Sequence, residues 1–398
     1  MRGAALLLVA VLASGCAVPV TPASVAPAAG ADVQERTLVA RATPYRDADL
    51  EALLAHVTGA LLTESERAAA APEIVVLRDP TISAFVLPSG RIYLHTGLLA
   101  RLGSEAQLAT VLARALVQAS RRDALELQAA QGKVPEALPA VRSSIGAALA
   151  TDTGWSVMSP VAEAILGGNL SVVYVAAISG YGRELERTAD AGAIQRLVRA
   201  GYDPKEAPRT FERLRREAKL GGVPERFFLG DDAALAERVE SIARVVAEDY
   251  AVAAAMPDTV KSSDEFEEVT ATVARDNARL ELRRGRFRAA QEQLERAMAV
   301  SPSDPQAYLA LGELFRLRAQ RARGAAERDE LMRRALWAYE HSAMLDPALA
   351  EVVRELGLLY YQQGQRERAL EAFMRYLVLS PDAPDAPRVS EYVAVLSR

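Results

Sequence analysis

Apolar positions change their period several times along this chain, and each change marks an element. Residues 46–72 carry apolar side chains at helical spacing and predict an amphipathic helical stretch. Residues 73–77 form a short apolar run that predicts a buried strand. Residues 82–86 and 90–94 follow, joined by Leu87-Pro88-Ser89-Gly90. Proline and glycine between two apolar runs predict a hairpin. Ser104 is a suitable N-cap for a long helix in which Leu108, Val111, Leu112, Ala115, Leu116 and Ala119 recur at helical spacing. Residues 154–178 are apolar, with Glu163 their only charge. Pro160 and Gly167-Gly168-Asn169 interrupt them, so they predict two packed helices joined by a turn rather than a membrane span.

The last third has a repeat. Pro302, Pro347 and Pro381 each follow a helical stretch, and the last two lie one repeat of about 34 residues apart. The third unit shows Leu356, Gly357, Tyr360, Ala369, Phe373 and Pro381. The second shows Tyr308, Leu311, Gly312, Phe315, Ala335, Tyr339 and Pro347, and the first Ala290, Leu294, Ala297 and Pro302. These resemble tetratricopeptide repeats. Small residues let paired helices approach, aromatic rings fill the gap, and proline ends the second helix. Unit two holds extra residues around 318–330, a charged stretch that would lengthen both its helices. Residues 387–398 would form a capping helix. Such arrays bind partner proteins or extended peptides.

Composition narrows the chemistry. The chain has 398 residues and a net charge of -5, which argues against nucleic-acid binding. It has three histidines, His56, His95 and His341, and one cysteine, so an internal disulfide and any CxxC zinc site are excluded. Arg2, an apolar run over residues 4–13 and Ala13-Ser14-Gly15-Cys16 resemble a bacterial lipoprotein signal. The resemblance implies cleavage before Cys16 and lipidation of Cys16. Ala17 after it implies sorting to the outer membrane, facing the periplasm. Residues 16–40, rich in Ala, Pro and Val, read as a flexible tether.

The central stretch carries a second resemblance. Ser83-Ala-Phe-Val-Leu-Pro-Ser-Gly-Arg-Ile-Tyr-Leu-His-Thr-Gly-Leu-Leu99 looks like the strand pair before the active helix of HtpX-type and BepA-type zinc metallopeptidases. Glu105-Ala-Gln-Leu-Ala-Thr-Val-Leu-Ala113 looks like the start of that helix, and Glu186-Arg-Thr-Ala-Asp190 matches the ExxAD motif of the second. Gly201-Tyr-Asp-Pro204 and Phe227-Phe-Leu-Gly-Asp-Asp-Ala-Ala-Leu-Ala-Glu-Arg238 also fit. The implied fold is mainly α, of the α+β class: a helical metallopeptidase-like domain with a small sheet, then an α-solenoid. The expected divisions are residues 1–15 signal, 16–40 tether, 41–262 metallopeptidase-like domain and 263–398 repeats.

The family's chemistry needs HExxH on the first helix. Two histidines one turn apart hold zinc, and the glutamate between them activates the bound water. The five matching positions here are Arg114, Ala115, Leu116, Val117 and Gln118. Both histidines and the general base are absent, and only Glu186, the third-ligand position, remains. The family's later His-Pro is Asp232-Ala233, with Arg238 retained. The expectation is therefore no catalytic residue, no metal and no cofactor. Arg114 either reaches Glu186 in place of the zinc charge, or both side chains turn to solvent. Asp190 is expected to cap or brace neighbouring helices, with Arg238 also in the surrounding shell. His95 reads as a surface or hairpin-packing histidine and His56 as solvent-facing. The function implied is an inactive metallopeptidase homologue that binds proteins or acts as a chaperone-like lipoprotein in outer-membrane protein quality control. Two alternatives stand beside it: a zinc endopeptidase with an altered site, and a structural scaffold with a sealed cleft.

Overall fold

The computed structural model describes residues 35, 42–68, 71–87, 89–120, 183–220 and 232–398. The lipoprotein signal with Cys16, the apolar residues 154–178 and residues 227–231 lie outside the described residues, as does the proposed tether apart from Glu35. Glu35 corrects the tether's extent. It is buried and accepts from the Tyr93 hydroxyl at 2.6 Å and from Arg91 at 3.1 Å, so it belongs to the folded part.

The amphipathic stretch folds as two helices, α1 (Ala48–Leu61) and α2 (Glu64–Ala68). Asp47 caps α1 by accepting from the Leu50 N–H at 2.8 Å. The break arises because Thr63 and Glu66 form a capping box. The Thr63 N–H donates to Glu66 at 2.8 Å and the Glu66 N–H to Thr63 Oγ1 at 3.2 Å.

Three strands follow: β1 (Ile74–Leu77), β2 (Ala84–Val86) and β3 (Ile92–His95). β3 is central, parallel to β1 and antiparallel to β2, in the sheet order β1-β3-β2. Its four residues are all buried, which accounts for the unbroken apolar run. The expected hairpin is present, and Gly90 supplies the positive φ of 87° that its turn needs. α3 (Thr96–Leu99) leaves β3, and α4 (Glu105–Ser120) follows with the Gln107 N–H donating to Ser104 Oγ at 3.3 Å. α4 is buried from Glu105 to Val117. α5 (Arg183–Arg199), α6 (Glu206–Leu220), α7 (Asp232–Asp249) and the short α8 (Ala251–Ala255) complete this part. Gly192 of α5 lies so near α4 that a Cβ there would meet Val117 Cγ2 at 2.9 Å.

The repeats are α9 (Asp264–Arg283) with α10 (Phe287–Val300), α11 (Pro305–Arg321) with α12 (Ala325–Leu345), and α13 (Ala350–Gln362) with α14 (Arg366–Leu379). α15 (Ala386–Leu396) closes the array as the capping helix. The extra residues of unit two do lengthen both its helices, to 17 and 21 residues against 13 and 14 in unit three. Gly312 faces Tyr339 and Gly357 faces Phe373, both rings fully buried. Ala369 and Tyr360 pack in the same core. A Cβ at Gly312 would sit 2.3 Å from the Tyr339 ring, which packing on the other side prevents from moving aside. Gly312→Ala should therefore cost about 1–3 kcal/mol by overpacking, read from urea denaturation midpoints.

α9 belongs to two cores. Phe266, Val269 and Val273 join the core built on α1, β3, α4 and α5, while Ala278 and Leu282 pack with Leu294 and Leu314 of the repeats. A polar seam reinforces this junction. Thr96 donates to Asn277 at 2.9 Å, Asn277 to Gln293 at 2.9 Å, and Tyr45 to Asp276 at 2.9 Å.

One ion pair ties α2 to α5. Arg196 grips both oxygens of Glu66, at 2.7 and 2.6 Å. The Arg196 bond, opposed by burial, holds the Glu66 carboxyl down at about 2. A depressed folded-state pKa means stability that is present above the unfolded value of 4.5 and lost as pH falls toward about 2. Glu66→Gln should be less stable than the parent at pH 7, with the difference vanishing by about pH 2. A difference independent of pH would assign the effect to packing.

Candidate functional site

The side chains expected to mark the site meet where α4, α5 and α7 pack together. α4 places Arg114, Ala115 and Gln118 within one turn, with Arg114 and Ala115 buried and Gln118 half-buried. α5 places Glu186 and Asp190 one turn apart, and α7 supplies Arg238. Of the two arrangements open to Arg114, the structure has the ion pair. The Arg114 Nη2 donates to Glu186 Oε2, and its Nε donates to Asp190 Oδ1 at 3.2 Å.

Arg238 completes the group from the other side. Its Nη1 lies 3.2 Å from Glu186 Oε2, its Nε donates to Asp190 Oδ2 at 2.8 Å, and its Nη2 donates to Asp190 Oδ1. The guanidinium also stacks 4.1 Å over the Phe211 ring. Two cations thus face two carboxylates, all four largely withdrawn from water, with side-chain exposures of 5, 19, 8 and 12% for Arg114, Glu186, Asp190 and Arg238. Asp190 of α5 is thus bonded to Arg114 of α4 and to Arg238 of α7. That Arg238 also holds Glu186 was not foreseen, because the motif only marks it as retained.

This donor set does not fit zinc. The sole carboxylate at a ligand position is shared by two guanidinium groups, which put positive charge where a cation would have to sit. A zinc site needs three or four neutral or anionic donors. Among the described residues, no group of three or more His, Cys, Asp or Glu side chains is placed to hold a metal ion. Both oxygens of Asp190 and Oε2 of Glu186 meet guanidinium nitrogens. The arrangement can neutralise charge and join three helices.

The histidines give no replacement. His56 is exposed, as read from the sequence. His95 is 2% exposed, which corrects the surface reading and keeps the hairpin-packing one. Its ring meets Phe85 edge-on at 5.9 Å, its Nδ1 is 2.6 Å from Thr81 Oγ1, and Asp79 lies 3.8 Å away. Burial pushes its pKa down. His341 stacks on Trp337 at 5.3 Å, within the repeats.

Sequence reasoning also missed Arg101, which is 2% exposed. It donates to the carbonyls of Pro80 at 3.1 Å and Gly97 at 2.6 Å, and to Glu281 of α9 at 2.7 Å. The available signal was a lone arginine straight after an apolar helix, at the edge of a buried sheet.

Comparison with known proteins agrees with this architecture. Residues 44–263, more than half of the chain, match the model of peptidase family M48. Residues 278–314 and 322–394 match tetratricopeptide-repeat models. The mitochondrial metalloendopeptidase OMA1 of Arabidopsis thaliana is 29% identical over 150 residues, 38% of this chain and 26% of the relative. The beta-barrel assembly-enhancing protease of Escherichia coli is 30% identical over 156 residues, 39% of this chain and 30% of the relative. The alignments therefore span about a third or less of these curated relatives. A solved human IFIT1 dimer covers 71% of this chain and 74% of its own at 15% identity, with a TM-score of 0.27, too distant to bear on the site. By its matched residues and fold, the chain belongs to peptidase family M48, with tetratricopeptide repeats after the peptidase domain.

Proposed function

We propose that this protein is an M48 homologue that binds proteins without cleaving them. One observation carries the reading: Arg114 occupies the first ligand position and, with Arg238, neutralises the remaining glutamate. The burial of that cluster favours a sealed cleft over one that holds peptide, so recruitment falls to the repeats. Tetratricopeptide repeats serve protein–protein contact, and similarity to beta-barrel assembly-enhancing proteases supports a role in the quality control of outer-membrane proteins. In this proposal the Cys16 motif supplies a lipid anchor at the periplasmic face of the outer membrane. Among the described residues no helix is long and apolar enough to cross a membrane.

The test uses the full chain. Casein should remain intact with zinc added, and a chelator should change nothing. Pull-down of the lipidated protein from its own membrane should recover partners that a variant lacking residues 322–398 fails to recover. Chelator-sensitive cleavage by the purified protein would restore the endopeptidase alternative.

A further inference from the structure

A second polar site lies at the other end of α4, away from the arginine–carboxylate cluster. It is an open cavity of about 420 Å³ between the start of α4, α6 and the segment before α9. Four cationic side chains line it, Arg209, Arg213, Arg216 and Lys261, against two carboxylates, Glu206 and Glu212.

Glu206 is already engaged. It accepts from Ser104 Oγ at 3.1 Å, Gln107 Nε2 at 2.8 Å and Arg209 at 2.7 Å, and Lys261 lies 3.9 Å away. Burial opposes its ionisation, but those hydrogen bonds hold its carboxyl below the usual range. The remaining donors are in excess. Arg213 spends its Nε on the Arg101 carbonyl at 2.5 Å, and its Nη1 lies over Gly103, where any Cβ would be 2.6 Å away. Its Nη1 and Nη2 meet no acceptor among the described residues. Arg216 has no hydrogen-bond or ion-pair partner among them either.

A further arginine lies behind the cavity wall. Arg296 donates to the Ala100 carbonyl at 2.5 Å, and burial, with Arg213 and Arg101 adding to it and Glu217 and Glu292 opposing, lowers its pKa to about 10. Burial, with Arg216 adding to it and Glu217 opposing, lowers that of Arg213. An anion in the cavity would relieve this repulsion, and a guanidinium fork is the group suited to an oxyanion with two acceptor oxygens.

We propose that this cavity binds an oxyanion, a carboxylate or a phosphate group, on the open nitrogens of Arg213 and Arg216, with Lys261 at its rim. The site is independent of the α4–α5–α7 cluster, so it stands whether or not the protein cleaves peptide bonds.

Calorimetric titration of the full chain tests it, with inorganic phosphate and an Asp/Glu-rich tetrapeptide as separate probes. The expected result is saturable one-to-one binding of at least one probe, weakened by added salt. Arg216→Gln should weaken that binding about tenfold, the loss of one charge-assisted hydrogen bond. Arg216 is exposed, so this variant should fold, and an unchanged circular dichroism melt would confirm it. Whichever probe binds more tightly identifies the source of the oxyanion. Absence of saturable binding by both probes, or an Arg216→Gln affinity equal to the parent's, would overturn the proposal.

Discussion

Replacing Arg114 with methionine should lower the unfolding free energy by about 3 kcal/mol, the low end of the cost of breaking a buried ion pair. The reason is asymmetric. Methionine fills much the same space, so packing is nearly kept. What is lost is one of two cations facing Glu186 and Asp190. Arg238 still reaches both carboxylates, which keeps the cost from being larger. A double substitution separates charge from packing. Arg114→Met with Glu186→Gln should recover part of the loss, because one uncompensated carboxylate has gone. Urea denaturation of the four members of this cycle measures the coupling. Strict additivity would mean that the pair contributes nothing beyond its separate contacts.

Arg101→Met should cost about 3–5 kcal/mol. Glu281 is fully buried and Arg101 is its closest cation, with Arg286 at 3.6 Å. The substitution also removes the donor from the Pro80 and Gly97 carbonyls in the interior. Its position makes the consequence more than a lower midpoint. Arg101 links the β1–β2 connection and α3 to α9, the helix shared by both cores. Loosening that link should divide a single denaturation transition into two, with the repeats and the M48 part unfolding separately. With Trp155 replaced by phenylalanine in parent and variant alike, the fluorescence of Trp337 reports on the repeats, and far-ultraviolet dichroism on the whole. Coincident transitions in the variant would show that the apolar packing of α9 suffices for coupling.

Much of this architecture is legible in the sequence because local signals agree with global packing. Pro302, Pro347 and Pro381 mark helix ends, and Gly312 and Gly357 are spaced as close-contact residues that meet Tyr339 and Phe373. The apolar runs on either side of the Pro88–Gly90 sequence signal pair as the hairpin. The substituted ligand positions are readable for a related reason. Arg114, Ala115 and Gln118 stand at fixed offsets on a helix whose register the apolar residues Leu108, Val111 and Leu112 define. What the sequence hides is burial that depends on distant partners. His95 looks like a strand-end polar residue until Thr81, Asp79 and Phe85 close around it. Arg101 looks like surface charge because Glu281, its partner, comes 180 residues later. The break between α1 and α2 was legible but missed: residues 63–67 carry no apolar side chain, and Thr63 and Glu66 have the spacing of the capping box that decides where one helix stops. The basic cavity is likewise assembled from Gly103, α6 and Lys261, which no short window contains together.

The central claim is that the old metal position is held by guanidinium groups. Native mass spectrometry of the full chain, titrated with zinc beside a variant carrying Arg114→His, Ala115→Glu and Gln118→His, tests it directly. The parent should take up no stoichiometric zinc, and its melting temperature should be the same with zinc and with chelator. The variant regains the missing donors and should bind more zinc than the parent. One tightly bound zinc per parent chain, with a melting temperature that falls on chelation, would contradict the account.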